Sequence, residues 1–173
     1  MPTRVDLSQL TLMDTLDRAT LIEVEAYRRY DLCVEQIGSA TDAGASFQSM
    51  VANENKHADD LAARRIALFG DAPPRVKRDG IFDVEAPDVG STYRNMSEYK
   101  ACQVALRAEK KAFEFYDRAQ RKVTQPEVKA LFQELRDEEA EHVRRVEEII
   151  ARLPPSARLD IEDEDDTSMR MGY

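Results

Sequence analysis

The chain has 173 residues, 42% hydrophobic and 34% charged, with six Gly, seven Pro, no Trp and a net charge of −9. That is enough chain for one domain with a sizeable core, and the balance suits a helical bundle better than a sheet protein. The acidity argues against a nucleic-acid partner, since phosphate binding needs a basic face, and no run of about 18 apolar residues exists to span a membrane.

Residues 1–10 read as a loose lead-in. They lack the apolar run of a secretion signal, so a cytoplasmic location is expected. The first helix is predicted from Thr11 or Asp14 to about Ile37. Its apolar seam is Leu12, Leu16, Ala19, Ala26, Tyr30, Cys33 and Ile37, with spacings of three and four. Glu23 occupies one position of that seam. A carboxylate is almost never buried alone, so Glu23 calls for a partner.

Gly38 to Ser46 reads as the first turn, rich in small and polar residues. The second helix then runs to about Phe69, with the seam Phe47, Met50, Glu54, His57, Leu61 and Leu68, and stops at Gly70. Residues 71–96 carry Pro73, Pro74, Gly80, Pro87 and Gly90 and keep no helical period. They suit a crossover connection along the bundle.

Ser97 is placed to cap a third helix running to about Val123, with the seam Cys102, Leu106, Glu109, Ala112, Tyr116, Ala119 and Val123. Thr124 to Glu127 reads as a capping box with Pro126 in the first turn. The fourth helix carries Val128, Phe132, Leu135, Glu139, His142, Val146, Ile149 and Leu153 before Pro154 and Pro155 end it. Residues 154–173, with the acidic run 160–166, read as a disordered, solvated tail. The architecture expected is all-α: an antiparallel four-helix bundle over residues 11–153, with a long crossover between helices 2 and 3.

The seams contain a repeat. Glu-x-x-Ala-x-x-x-Tyr occurs at Glu23, Ala26, Tyr30 and again at Glu109, Ala112, Tyr116, offset by 86 residues. Glu-x-x-His occurs at Glu54, His57 and again at Glu139, His142, offset by 85. The chain is therefore two similar helical hairpins. A spacing of three puts a Glu and a His on one helix face, able to reach the same ion. One Glu from each of two helices, with one Glu-x-x-His from each of the others, is the ligand layout of dinuclear carboxylate bundles.

Height along the bundle agrees. In an antiparallel hairpin, residues equidistant from the turn lie level. The midpoint of 23 and 54 falls between Gly38 and Ser39, and that of 109 and 139 falls at Thr124. Glu23, Glu54, His57, Glu109, Glu139 and His142 are the metal candidates. Four carboxylates balance two divalent ions, and oxygen with imidazole ligands suits iron or manganese; zinc fits without redox chemistry. Without metal the four carboxylates cannot all stay ionised, so Gln at 23 and 109 is expected to stabilise the metal-free form.

Tyr30 and Tyr116, two turns beyond Glu23 and Glu109, are placed to donate hydrogen bonds to a ligand Glu across the bundle. Asn53 and Glu138, which precede the Glu-x-x-His motifs, could orient the far histidine or lie in solvent. Cys33 and Cys102 form no Cys-x-x-Cys pair and read as small core residues.

On these motifs residues 11–153 resemble the rubrerythrin branch of the ferritin-like superfamily. The resemblance implies a bundle with two iron ions, reacting with hydrogen peroxide or dioxygen, in a homodimer. Rubrerythrins add a rubredoxin-like domain with paired Cys-x-x-Cys motifs, which this chain lacks; electrons are then expected from ferrous iron or an external donor protein. Rubrerythrins also carry an extra Glu at the position of Ala112, so the six-ligand set is more like a bacterioferritin ferroxidase centre. The expectation is a di-iron oxidoreductase, either peroxidase or ferroxidase. The alternatives are an iron storage or delivery protein and a hydroxylase of an organic substrate. A metal-free structural bundle is the remaining reading. The mean hydropathy of −0.58 does not favour a membrane-facing hydroxylase.

Overall fold

Helical periodicity with good caps produces four long helices. The computed structural model describes residues 6–81 and 96–158. They form α1 (Leu12–Ile37), α2 (Asp42–Phe69), α3 (Glu98–Gln120) and α4 (Pro126–Arg152), with no strand among the described residues. Thr11 caps α1 through a full capping box with Asp14, and Ser97 caps α3 by accepting from the Lys100 N–H. The helices pair as two hairpins, α1 with α2 and α3 with α4, which pack into one antiparallel bundle.

Local details differ from the sequence pattern. Residues 7–10 are not a loose lead-in: a 3₁₀ turn at Leu7–Gln9 sets Leu7 and Leu10 into the core. Helix α2 begins at Asp42, five residues earlier than the small-residue composition suggested. Thr41 caps it by accepting from the Gly44 N–H, and Ala43 and Phe47 are fully buried. Gly44 lies so close to the preceding turn that a Cβ there would sit 2.0 Å from the Gly38 carbonyl oxygen. Gly38 itself turns the chain at φ 82. At the second hairpin, α3 stops at Gln120 rather than Val123. The expected Thr124 capping box does not form: Gln125 is the N-cap, without a side-chain bond, and Pro126 opens α4.

Of the expected crossover, 71–96, residues 71–77, a 3₁₀ turn at Arg78–Ile81 and Met96 are described; 82–95 lie outside the described residues. Of the tail, a 3₁₀ turn at Pro155–Arg158 is described; the acidic run 160–166 lies outside.

Two apolar clusters fill the bundle. One holds Leu16, Ile22, Leu61, Phe115, Tyr116, Leu131, Phe132 and Leu135. The other holds Tyr30, Cys33, Phe47, Met50, Cys102, Val146 and Ile149. The polar layer of the bundle falls between them. Cys33 and Cys102 are buried and unpaired, as read from the sequence. Leu68 is not on the seam: it is 53% exposed, and Arg65 takes the inward position. Arg65 Nε donates to Asp17 Oδ1 at 2.9 Å, and its other nitrogens donate to the carbonyls of Gly70 and Ala72. The second Asp17 oxygen accepts from the Arg75 N–H at 2.9 Å. One buried ion pair thus fastens the start of the crossover to α1 and α2.

No helix among the described residues is long and apolar enough to cross a membrane.

Candidate metal centre

Each of the four helices contributes to a single polar layer. Glu23 comes from α1, Glu54 and His57 from α2, Glu109 from α3, and Glu139 and His142 from α4. Five of the six are 5% exposed or less; His57 alone is partly open, with its side chain 17% exposed. His142 Nδ1 lies 3.2 Å from Glu54, 3.4 Å from Glu109 and 3.6 Å from Glu139. His57 Nδ1 lies 3.6 Å from Glu23. Ligand atoms of Glu54, His57 and His142 fall within 4.8 Å of one another, as do those of Glu109, Glu139 and His142. The level arithmetic of the two hairpins is therefore realised in space, and the residues singled out by the repeat come together.

What these atoms lack is informative. The Nδ1 of His57, the Nδ1 of His142 and one carboxylate oxygen each of Glu23, Glu54 and Glu139 are buried without a hydrogen-bond partner. Buried polar atoms are normally satisfied, and each orphan costs about 1–3 kcal/mol. Five such atoms converging in one layer fit metal ions bound among them. Nitrogen and oxygen donors in a carboxylate-rich set suit iron, manganese or zinc.

Burial and mutual repulsion divide the four carboxylates. Burial pushes Glu23 up to about 7, although its hydrogen bond with Glu54 opposes the shift. Burial also raises Glu54 well above the usual range, helped by the neighbouring Glu23 charge. Glu139 is raised in the same way, by burial and then by Glu109 and Glu23. Burial acts to raise Glu109 as well, but the close approach of His142 and Glu139 and the charges of His142 and Arg29 hold it at about 2. Burial lowers His142, yet the close approach of Glu109 and the charges of Glu54, Glu109 and Glu23 leave it at about 9. The metal-free layer thus favours an ionised Glu109 beside a His142 imidazolium, and the protonated forms of Glu54 and Glu139.

Tyr30 donates to Glu109 Oε1 at 2.8 Å, from α1 to α3, as the sequence spacing suggested. The Tyr116 hydroxyl is fully buried and has no hydrogen-bond partner, so the repeat is broken at this position. Phenylalanine at Tyr30 removes a bond to an ionised carboxylate, a kind that contributes about 1.5–3 kcal/mol. Tyr30→Phe should lower the stability of the metal-free protein by about 2 kcal/mol, read from the urea midpoint at unchanged slope. A change below about 0.5 kcal/mol would mean that Glu109 is held without it.

Two further residues meet the layer. Arg29 Nη1 lies 3.8 Å from the Glu109 oxygen that Tyr30 binds. No sequence pattern points to it, because position 29 lies off the α1 seam. Asn53 Nδ2 lies 3.0 Å from His142 Nε2 and 3.4 Å from His57 Nε2. Glu138 reaches His57 only at Nδ1, 3.9 Å away. A small open cavity of about 110 Å³ ends at His57, between α2 and α4, lined also by Asp60, Leu61, Arg64, Glu134, Leu135 and Glu138.

Comparison with known proteins places this geometry. The family model described as Rubrerythrin matches residues 14–150 and, in a second match, 100–168. The solved structure of an uncharacterized conserved protein from Magnetospirillum magnetotacticum MS-1 is similar, with 28% identity and a TM-score of 0.71. The match covers 84% of this chain and 97% of that one. No curated protein matches.

Proposed function

Because this chain belongs to the rubrerythrin family of ferritin-like bundles, we propose that it is an oxidoreductase holding two metal ions and reducing hydrogen peroxide or dioxygen. The ligands in this reading are Glu23, Glu54, His57, Glu109, Glu139 and His142. The observation that carries it is the convergence of buried nitrogen and oxygen atoms that have no protein partner. Two bound iron ions, or manganese in their place, would supply the two electrons that, with two protons from solvent, convert one hydrogen peroxide into two waters.

The protein's own contribution is position, charge and exclusion of water. Tyr30 and Arg29 hold one oxygen of Glu109, which leaves the other turned toward His142. Burial favours the protonated forms of Glu54 and Glu139 in the metal-free protein, and cations displace those protons, so binding strengthens as pH rises. The apolar clusters on both sides keep bulk water from the layer. The cavity at His57 is the open side through which an ion or a small oxidant reaches the layer. Electrons come from ferrous iron itself or from a donor protein. The working unit is the bundle, residues 11–153; a homodimer and a cytoplasmic location belong to the same proposal.

A ferroxidase reading stands beside the peroxidase one on a single observation. Position 112, one turn beyond Glu109, is an alanine only 2% exposed, so no seventh carboxylate is available there. Both readings share one test. Anaerobic protein titrated with ferrous iron should bind two ions per chain, and the loaded form should be oxidised by peroxide or by dioxygen in stopped-flow absorbance. Binding of one ion or none removes the dinuclear reading. Two ions with no response to either oxidant removes the redox function. Repeated turnover on added ferrous iron with dioxygen selects ferroxidation, whereas turnover on peroxide with a separate reductant selects the peroxidase.

A further inference from the structure

The sequence offers Asn53 and Glu138, one before each Glu-x-x-His motif, either as supports for the far histidine or as solvated residues. The structure has a different arrangement. The rings of His57 and His142 are stacked, with centroids 5.7 Å apart and planes 15° apart. Their Nε2 atoms both face one amide, that of Asn53, at 3.4 and 3.0 Å. Glu138, the repeat counterpart of Asn53, lies nearer Nδ1 of His57 at 3.9 Å and makes no contact at Nε2 within hydrogen-bonding distance.

The chemistry of imidazole then fixes what Asn53 must do. The Nδ1 atoms of both rings are buried, orphaned and turned toward the carboxylates, so these are the nitrogens free to take metal. A neutral imidazole has one N–H, so with Nδ1 committed both Nε2 atoms are donors. An amide nitrogen cannot accept from them. The two ends of an amide have the same shape, and the hydrogen-bond network decides which end faces the rings. The Asn53 oxygen, with two lone pairs, can accept from both.

On the metal-binding reading above, we infer that Asn53 is a positioning residue for both halves of the centre. Its single side-chain oxygen accepts from Nε2–H of His57 and of His142 and so fixes the orientation of both rings at once. The two binding steps are then coupled through a neutral residue that is not itself a ligand. A hydrogen-bond acceptor behind a ligating histidine commonly contributes 10–100-fold in metal affinity. Here one side chain serves two histidines, so one substitution weakens both steps.

The test uses cobalt(II) alone, titrated into the metal-free full chain and followed by its visible absorption bands, with no oxidant and no turnover. Wild type should bind two ions. Asn53→Leu, which replaces the acceptor by apolar atoms of similar size, should weaken both steps by about 10–100-fold and change the bands of both ions. Asn53→Asp restores an acceptor of the same size and should return both steps to near the wild-type constants. If Asn53→Leu loses its helical circular dichroism, Asn53→Ala reads the same constants. The inference is overturned if the acceptor-free variant leaves either step within twofold of wild type, or if Asn53→Asp does not restore both. Wild type binding fewer than two ions overturns the metal-binding reading itself. Two tight ions in wild type with one step unaffected in the variant overturns only the shared support.

Discussion

Removing the metal should lower the melting temperature of this protein, and by more at pH 8 than at pH 5.5. Metal bound only to the folded state stabilises it by mass action, about 4 kcal/mol when free metal is a thousandfold above its dissociation constant. For a chain of this size that is a shift on the order of 10 °C. The pH dependence follows from the direction of each titration. Glu23, Glu54 and Glu139 titrate above their ordinary 4.5 in the fold, and His142 rises from 6.5 to about 9. Each of these binds more protons folded than unfolded, so their contribution is present at low pH and is lost as pH rises through the folded values. Glu109 behaves oppositely: held at about 2, it contributes above 4.5 and loses that only in acid. Between pH 5.5 and 8 the metal-free fold therefore weakens, while metal takes the place of the protons.

Substitution sharpens the test. Gln mimics a protonated carboxyl, so Glu54→Gln with Glu139→Gln should raise the melting temperature of the metal-free form at pH 8 while weakening metal binding. The same change at Glu109 should lower it, because the His142 imidazolium and Arg29 lose their counter-charge. Differential scanning calorimetry under chelation at both pH values reads all three. A Glu54/Glu139 double variant that melts below wild type at pH 8 would show that these side chains do not share protons in the bundle.

The second large effect lies away from the metal layer. Arg65→Met leaves Asp17 charged and buried and frees the Gly70 and Ala72 carbonyls that Arg65 holds. Breaking a buried pair by removing one partner typically costs about 3–5 kcal/mol. The expected result is a fall of roughly 10 °C in melting temperature, with two metal ions still bound per chain. Adding Asp17→Leu should recover part of the loss, since the buried charge is gone, but not all of it, since the two carbonyls stay unmatched. Guanidinium unfolding of wild type, single and double variants gives the cycle. A single variant within about 1 kcal/mol of wild type would mean that solvent reaches this pair and that it does not fasten the crossover.

The chain's periodicity determined a great deal. Spacings of three and four set the helices and their buried faces, and equal distances from the turns set the height of Glu23, Glu54, Glu109 and Glu139. Both are one-dimensional properties, because the rise per residue of a helix is fixed. The six residues of the polar layer could be named for that reason, as could the Tyr30 bond to the opposite hairpin. What the sequence left open was lateral. It treats the four glutamates as equivalent, and pairs Gln at 23 with Gln at 109. The fold separates them, because Arg29 and Tyr30 join His142 at Glu109, whereas burial and the neighbouring carboxylates outweigh His142 at Glu54 and Glu139. It places Leu68 on a seam that belongs to Arg65, because only packing reveals that Asp17 waits across the helix pair. It gives Asn53 and Glu138 equal standing, whereas the stacking of two rings brings both Nε2 atoms to Asn53. Which charge is ionised and which donor meets which acceptor depend on neighbours from other helices and on the loss of water around them, and only the assembled bundle sets those.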